Sequence, residues 1–133
     1  MTHRLPIRVY YEDTDLAGIV YYANYLKFIE RARTEYVRAL GIDQTRLREA
    51  DGIVFAVRRV EADYLLPARF DDMLDVVTEP IAVTAARIVL VQRVERADTL
   101  LFEARVTLVA LSVSGRPARL PAEVRSALDP TGT

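Results

Sequence analysis

The sequence predicts an α+β fold in which a curved antiparallel β-sheet packs around one long helix. Two observations indicate this architecture. Apolar side chains recur at helical spacing over residues 23–41, and nearly every segment after residue 52 has the composition or the alternation of a β-strand. A helix that is apolar on one side must be covered, and only the sheet is available to cover it. The length of 133 residues fits one domain, so we expect residues 1–133 to fold together.

In chain order, alternating apolar and polar side chains predict a first strand over residues 4–11. Residues 12–22 then lead to the long helix, for which Asn24 is the expected N-cap and Gly41 the expected stop. The helix face that we expect to be buried consists of Tyr25, Phe28, Ile29, Ala32, Tyr36, Val37 and Leu40.

A weaker helical pattern follows over residues 42–51, with Asp43 as the expected cap and Leu47 pointing inward. Further strands are predicted over residues 53–65, 72–84, 87–96 and 100–112. Because their connections are short, consecutive strands should pair antiparallel, and the first strand must be inserted or added at an edge. A short helix is predicted over residues 121–128, and residues 129–133 are expected to fray.

The composition argues against several classes of function. The chain has no cysteine and a formal net charge of −1, so we expect neither thiol chemistry nor a general attraction to nucleic acid. Because His3 is the single histidine, we expect no histidine-based metal site. No apolar run approaches the roughly 20 residues that span a bilayer, and the N-terminus lacks the apolar segment of a signal peptide. These features predict a cytoplasmic protein with no metal and no membrane insertion.

Three carboxylates lie close together before the helix: Glu12, Asp13 and Asp15. A solvated turn near the positive end of a helix would account for them. However, Asp15 is followed by an apolar and aromatic run over residues 16–22, which is unusual for a solvated loop. We therefore expect this run to bury the neighbourhood of Asp15 and to exclude water from it.

The residues around this turn match a known pattern. YEDTDLAGIVYYANY (residues 11–25) and FIERAR (residues 28–33) resemble the 4-hydroxybenzoyl-CoA thioesterase family of the hot-dog fold, and most closely the Tol–Pal-associated acyl-CoA thioesterases. Residues 64–74, 91–93 and 118–121 also resemble that family. The resemblance implies a hot-dog fold and hydrolysis of a short-chain or aromatic acyl-CoA, with coenzyme A as part of the substrate and no separate cofactor.

The resemblance also assigns catalytic roles. The second aspartate of the family's Asp-x-Asp turn corresponds to Asp15, which would attack the thioester carbon or deprotonate a water molecule. The oxyanion donor corresponds to the main-chain N–H of Tyr22, at the positive end of the helix. Many relatives have histidine at this position. Because a backbone donor does not depend on the side chain, we interpret Tyr22 as a change in specificity.

Substrate contacts are expected from a further set of residues. The pocket candidates are Gly18, Val20, Tyr21, Asn24 and Tyr25. For the tyrosines, packing in the core is an equally good interpretation. The phosphates of coenzyme A would favour arginine at the pocket mouth, and the candidates are Arg58, Arg59 and Arg87. Each of these is also interpretable as an ordinary solvated strand residue.

The resemblance implies at least a homodimer, with tetramers common, and leaves open coenzyme A or an acyl carrier protein as the carrier. A link to the Tol–Pal system would be an inference from kinship only.

Two competing functions remain. A hot-dog dehydratase or hydratase would need a catalytic histidine, and His3 lies far from the turn. A binding module for acyl-CoA or acyl carrier protein would keep the pocket and be indifferent to Asp15→Asn.

Overall fold

The structure is a computed structural model that describes residues 2–130. The elements are β1 (His3–Arg8), a 3₁₀-helix (Tyr11–Asp13), α1 (Asn24–Ala39), α2 (Gln44–Asp51), β2 (Ile53–Tyr64), β3 (Met73–Val83), β4 (Arg87–Arg96), β5 (Thr99–Ser112) and α3 (Ala122–Leu128). The predicted order of helices and strands is confirmed. Part of the segment that was expected to fray, residues 131–133, lies outside the described residues.

The five strands form one antiparallel sheet in the order β1-β3-β4-β5-β2. The first strand is added at an edge, which is one of the two predicted alternatives. The expectation that all later strands pair consecutively is wrong for β2, which pairs with β5 at the opposite edge. The reason is that residues 65–72 do not form a tight turn but carry the chain across the sheet. In this crossing loop, the N–H groups of Leu65 and Leu66 donate to the carbonyl of Leu101.

The predicted face of α1 packs against the sheet. Six of its seven expected residues are buried and Leu40 is partly buried against the same core. A buried polar contact fixes the helix to β4 and β3. Gln92 donates to the Ile29 carbonyl oxygen (2.8 Å) and to Thr78 Oγ1 (2.9 Å), and it accepts from Arg33 Nη1 (2.9 Å). These bonds set the position of α1 on the sheet.

The helix ends agree with the sequence except at one residue. Asn24 is the first helical residue rather than the N-cap, because Ala23 occupies the cap position without a side-chain cap bond. Gly41 follows the helix with φ +83°, a conformation that glycine adopts without strain. Asp43 caps α2 by accepting from the Arg46 N–H (3.1 Å). Within residues 2–130, no helix is long and apolar enough to cross a membrane.

Candidate active site

Asp15 lies on a tight turn that projects from the body of the protein. Its N–H donates to the Ile19 carbonyl (2.9 Å), and the Gly18 N–H donates back to the Asp15 carbonyl (3.0 Å). Gly18 has φ +79°, so the turn needs a residue that tolerates the left-handed region. Asp15 Oδ1 accepts from the Ala17 N–H (2.9 Å), which orients the carboxylate. No other protein group within residues 2–130 hydrogen-bonds this carboxylate.

The structure separates the three acids of the turn. Asp13 Oδ2 accepts from the Tyr10 N–H (2.8 Å), and this bond holds the 3₁₀-helix. The chain therefore leaves the extended conformation here, and β1 ends earlier than predicted. Glu12 faces a groove of about 780 Å³ between β1 and α1. Asp15 alone of these acids lies on the turn that adjoins the apolar run.

The backbone at the start of α1 is anchored to the same turn. The Asp13 carbonyl accepts from the Tyr21 N–H (2.9 Å) and from Asn24 Nδ2 (2.8 Å). The Tyr22 carbonyl accepts from the Tyr64 hydroxyl (3.0 Å). In contrast, the Tyr22 N–H has no protein acceptor among the described residues. The backbone around this amide is thus held while the amide itself is left free, as an oxyanion donor requires.

Asp15 and Tyr22 lie on one short segment of the chain. Asp15 pairs with Ile19 across the turn, and Tyr22 follows Ile19 by three residues. Three residues of chain span at most about 10 Å, so Tyr22 lies within that distance of the residue that pairs with Asp15.

Aromatic rings line the surface next to the Tyr22 amide. The Tyr22 ring lies 5.0 Å from that of Tyr21 and 6.1 Å from that of Tyr64. All three side chains are about half exposed. Behind them, Tyr25 stacks on Phe102 with a centroid distance of 5.0 Å and an interplanar angle of 9°. The cluster therefore runs from the surface into the core.

The remaining pocket candidates have different positions. Tyr25 is 3% exposed, and its hydroxyl accepts from the Ala68 N–H (3.1 Å), so it occupies the core position that was the alternative interpretation. Burial raises the pKa of its phenol. Val20 is buried and donates to the Ala68 carbonyl (2.8 Å), which ties the turn to the crossing loop. The amide of Asn24 is engaged by Asp13, whereas Gly18 is exposed at the turn.

The three candidate arginines do not lie beside the turn. Arg58 is at the β-bulge of β2, and Arg59 forms an ion pair with Glu61 (3.5 Å). Arg87 is the first residue of β4. Because successive side chains of a strand point to opposite faces and Gln92 faces inward, Arg87 lies on the sheet face away from α1. Along β2, Arg59 is five residues, or about 17 Å, from the end at Tyr64.

The sequence interpretation missed a nearer cation. Arg69 forms a β-bridge with Ile19 at the base of the Asp15 turn. Its exposed guanidinium has no ion-pair or hydrogen-bond partner in the part of the chain that the structure describes. The sequence could have indicated Arg69, because it falls within residues 64–74, one of the segments that resemble the thioesterase family.

The expected burial of the turn is not found in a single chain. Asp15, Leu16, Ala17 and Gly18 are exposed, and Leu16 is fully exposed. The physical reason is that the turn extends beyond the sheet and the helix, so this chain supplies nothing to cover it. No cluster of three or more His, Cys, Asp or Glu side chains forms a metal site within residues 2–130.

An antiparallel sheet around one helix, with a carboxylate turn at the start of that helix, is the hot-dog architecture. The chain belongs to the thioesterase-like superfamily, whose family model matches residues 9–128. The acyl-CoA thioesterase YbgC of Haemophilus influenzae is 43% identical over 123 residues, which cover 92% of this chain and 90% of that protein. The acyl-CoA thioester hydrolase YbgC of Escherichia coli O157:H7 is 43% identical, with 91% of each chain covered.

Solved structures agree with this assignment. A probable thioesterase from Bartonella henselae has a TM-score of 0.87 and 35% identity, covering 91% of this chain and all of that one. A 4-hydroxybenzoyl-CoA thioesterase in complex with 4-hydroxybenzoyl-CoA has a TM-score of 0.90 over 96% of this chain and 99% of that one. Its 22% identity supports the fold alone. The predicted fold and the resemblance to acyl-CoA thioesterases are therefore confirmed.

Proposed function

We propose that this protein hydrolyses acyl-CoA thioesters to a free acid and coenzyme A. The observation that carries the proposal is the free Tyr22 amide, held at the start of α1 beside the turn that presents the Asp15 carboxylate. The activities printed for its 43%-identical relatives, acyl-CoA thioesterase and acyl-CoA thioester hydrolase, support the same reaction.

In one form of the mechanism, the Asp15 carboxylate accepts a proton from water. The resulting hydroxide adds to the thioester carbon, and the Tyr22 N–H hydrogen-bonds the developing oxyanion. The tetrahedral intermediate then collapses: the C–S bond breaks, and the leaving thiolate takes the proton from Asp15. A positioned base typically contributes about 10²–10⁴-fold to the rate.

In the second form, an Asp15 oxygen attacks the thioester carbon directly. The thiolate leaves, and an anhydride links the acyl group to the aspartate. Water hydrolyses this anhydride, which restores the carboxylate and releases the acid. The exposed, singly hydrogen-bonded carboxylate is compatible with either form.

For the substrate we propose a short-chain or aromatic acyl group. The exposed rings of Tyr21 and Tyr22 would pack against it, and the tyrosine that replaces the common histidine would thereby alter specificity. For the coenzyme A phosphates, Arg69 is better placed than Arg58, Arg59 or Arg87 within one chain, because it adjoins the turn.

We further propose a homodimer built through β2. This strand is an outer edge of the sheet, and the edge of such a strand presents unpaired N–H and C=O groups. Val57 and Val60 are 48% and 38% exposed, which is high for apolar residues on an inward-facing row. Antiparallel pairing of two β2 strands about a two-fold axis would bring a second chain beside Tyr64 and would supply cover for the turn. Tetramers would need a second interface.

The test is a panel of short, long and aromatic acyl-CoA substrates, with release of free thiol as the assay. Asp15→Asn should lower kcat by at least about 10²-fold, because it removes a positioned base or nucleophile. Glu12→Gln is the matched control, since it removes a neighbouring acid outside the proposed mechanism. Equal turnover by Asp15→Asn and wild-type protein would exclude Asp15 from the reaction.

The alternative is a non-catalytic module that binds acyl-CoA or an acyl carrier protein, and the same assay distinguishes it. Such a module would bind the substrates, release no thiol above the background rate, and bind equally well after Asp15→Asn. Carrier-protein substrates in the panel would distinguish the two carriers.

A further inference from the structure

Tyr64, the last residue of β2, reaches the start of α1. Its hydroxyl donates to the Tyr22 carbonyl oxygen over 3.0 Å. Its ring lies edge-on to the rings of Tyr22, Tyr25 and Phe102, at centroid distances of 6.1, 5.5 and 5.0 Å. One side chain thus connects the edge strand to the peptide that follows the proposed oxyanion donor.

This hydrogen bond is not a duplicate of helical bonding. The Leu26 N–H, which would reach the Tyr22 carbonyl in a regular helix, donates instead to the Ala23 carbonyl (3.2 Å). Tyr22 precedes the N-cap Ala23, so its carbonyl lies outside the helical hydrogen-bond pattern, and helix ends open more readily than helix interiors. The Tyr64 hydroxyl therefore supplies the restraint on the Tyr22 carbonyl that the helix does not.

The other side of the Tyr22 amide is restrained independently. The Tyr21 N–H and the Asn24 side chain both donate to the Asp13 carbonyl. The backbone is thus held before Tyr22 by the acidic turn and after it by Tyr64. Removing the Tyr64 bond would leave the donor anchored on one side only.

We propose that Tyr64 is a positioning residue for thioester hydrolysis, holding the Tyr22 N–H in the direction of the oxyanion. This inference rests on the proposed function. An oxyanion donor must lie about 2.7–3.1 Å from the position of the oxyanion, and a displacement of about 1 Å can cost roughly 10²-fold in rate. Burial, with the nearby Tyr22 and Tyr25, raises the pKa of the Tyr64 phenol, so the hydroxyl stays protonated at neutral pH.

The variant that tests this is Tyr64→Phe, which removes the hydroxyl and keeps the ring. We expect kcat to fall by about 10- to 100-fold, with KM changed by less than about twofold because no substrate contact is lost. Tyr11→Phe is the matched control. Its ring is exposed against Phe70, and its hydroxyl makes no hydrogen bond among residues 2–130. Its kcat should stay at the wild-type level.

A double variant separates positioning from a general effect on structure. Residues that act as one unit have non-additive effects, so Tyr64→Phe should lower kcat less than about threefold in an Asp15→Asn background. A full additional decrease there would overturn the proposal, as would unchanged kcat in the single variant. A raised KM with normal kcat would also overturn it, because Tyr64 would then contact the substrate.

A measurement without turnover completes the test. Amide hydrogen exchange at Tyr21 and Asn24, whose hydrogen-bonded N–H groups flank Tyr22, should be faster in Tyr64→Phe than in the wild type and unchanged in Tyr11→Phe. Equal exchange in all three proteins would refute the positioning role, and faster exchange throughout the chain of Tyr64→Phe would refute it too, because it would show general unfolding. If the wild-type protein released no thiol from any substrate, the proposed function would fail, whereas a normal Asp15→Asn effect without a Tyr64→Phe effect would remove only this inference.

Discussion

Replacing Gln92 with leucine should destabilise the protein strongly, because the side chain is fully buried and makes three hydrogen bonds. Leucine has a similar size, so a cavity contributes little. Two of the lost bonds join neutral groups and are worth about 1 kcal/mol each, while the bond from the Arg33 guanidinium is worth about 1.5–3 kcal/mol. The expected loss is about 3.5–5 kcal/mol, a large fraction of the roughly 5–15 kcal/mol of a typical domain.

The Arg33 bond dominates this loss. Burial lowers the pKa of the Arg33 guanidinium, and Glu30 only partly opposes this effect, so the cation is already poorly solvated. Without Gln92 Oε1, a partly buried charge would lose its hydrogen-bond acceptor on the sheet. Since Gln92 also bonds to the Ile29 carbonyl, the helix that follows the Tyr22 amide would lose its main polar contact with β4.

The assay is urea unfolding of wild type and Gln92→Leu at equal protein concentration, because association would shift the apparent stability. Gln44→Leu is the matched control: the same change at an exposed position of α2, with an expected effect within about 0.5 kcal/mol. For a domain of this size, the Tm of Gln92→Leu should be about 10–20 °C lower. A loss of less than about 1 kcal/mol relative to Gln44→Leu would refute the reasoning.

Two further predictions concern assembly and pH. Val60→Lys places a charge on the exposed inward-facing row of β2 and should convert the proposed dimer to monomers in analytical ultracentrifugation. Arg105→Lys, at an exposed position of β5, is the control. An unchanged dimer in Val60→Lys would exclude the β2 edge as the dimer interface. Burial raises the pKa of the Tyr36 phenol to about 12. The neutral phenol is therefore favoured in the folded state, and stability should fall as pH rises from about 10 to about 12. Tyr36→Phe should lose less stability over that interval in urea titrations, and identical pH profiles would contradict the assigned cause.

Local patterns in the sequence were sufficient for the elements of this fold. The 3.6-residue spacing of apolar side chains identified the buried face of α1, and Gly41 and Asp43 marked helix boundaries correctly. Such signals are reliable because each depends on neighbours within one or two turns of chain. Asn24 was misassigned as a cap because its amide bonds to Asp13, eleven residues earlier, and no local rule anticipates that contact.

Contacts between distant segments were decided by the tertiary structure. The pairing of β2 with β5 follows from the path of residues 65–72 across the sheet, whose length alone did not reveal it. That path brings Tyr64 to Tyr22, 42 residues away, and Arg69 to the Asp15 turn. The resemblance to thioesterases identified Asp15 and Tyr22 but could not supply these neighbours.

The sequence by itself therefore determined the helix, the strands, and the acidic turn with its family likeness, because periodicity and short motifs are written in adjacent residues. Only the tertiary structure decided which sheet edge β2 occupies, which arginine lies near the turn, and which hydroxyl holds the Tyr22 carbonyl. These features depend on the strand order and on one crossing loop, which bring together residues far apart in the chain.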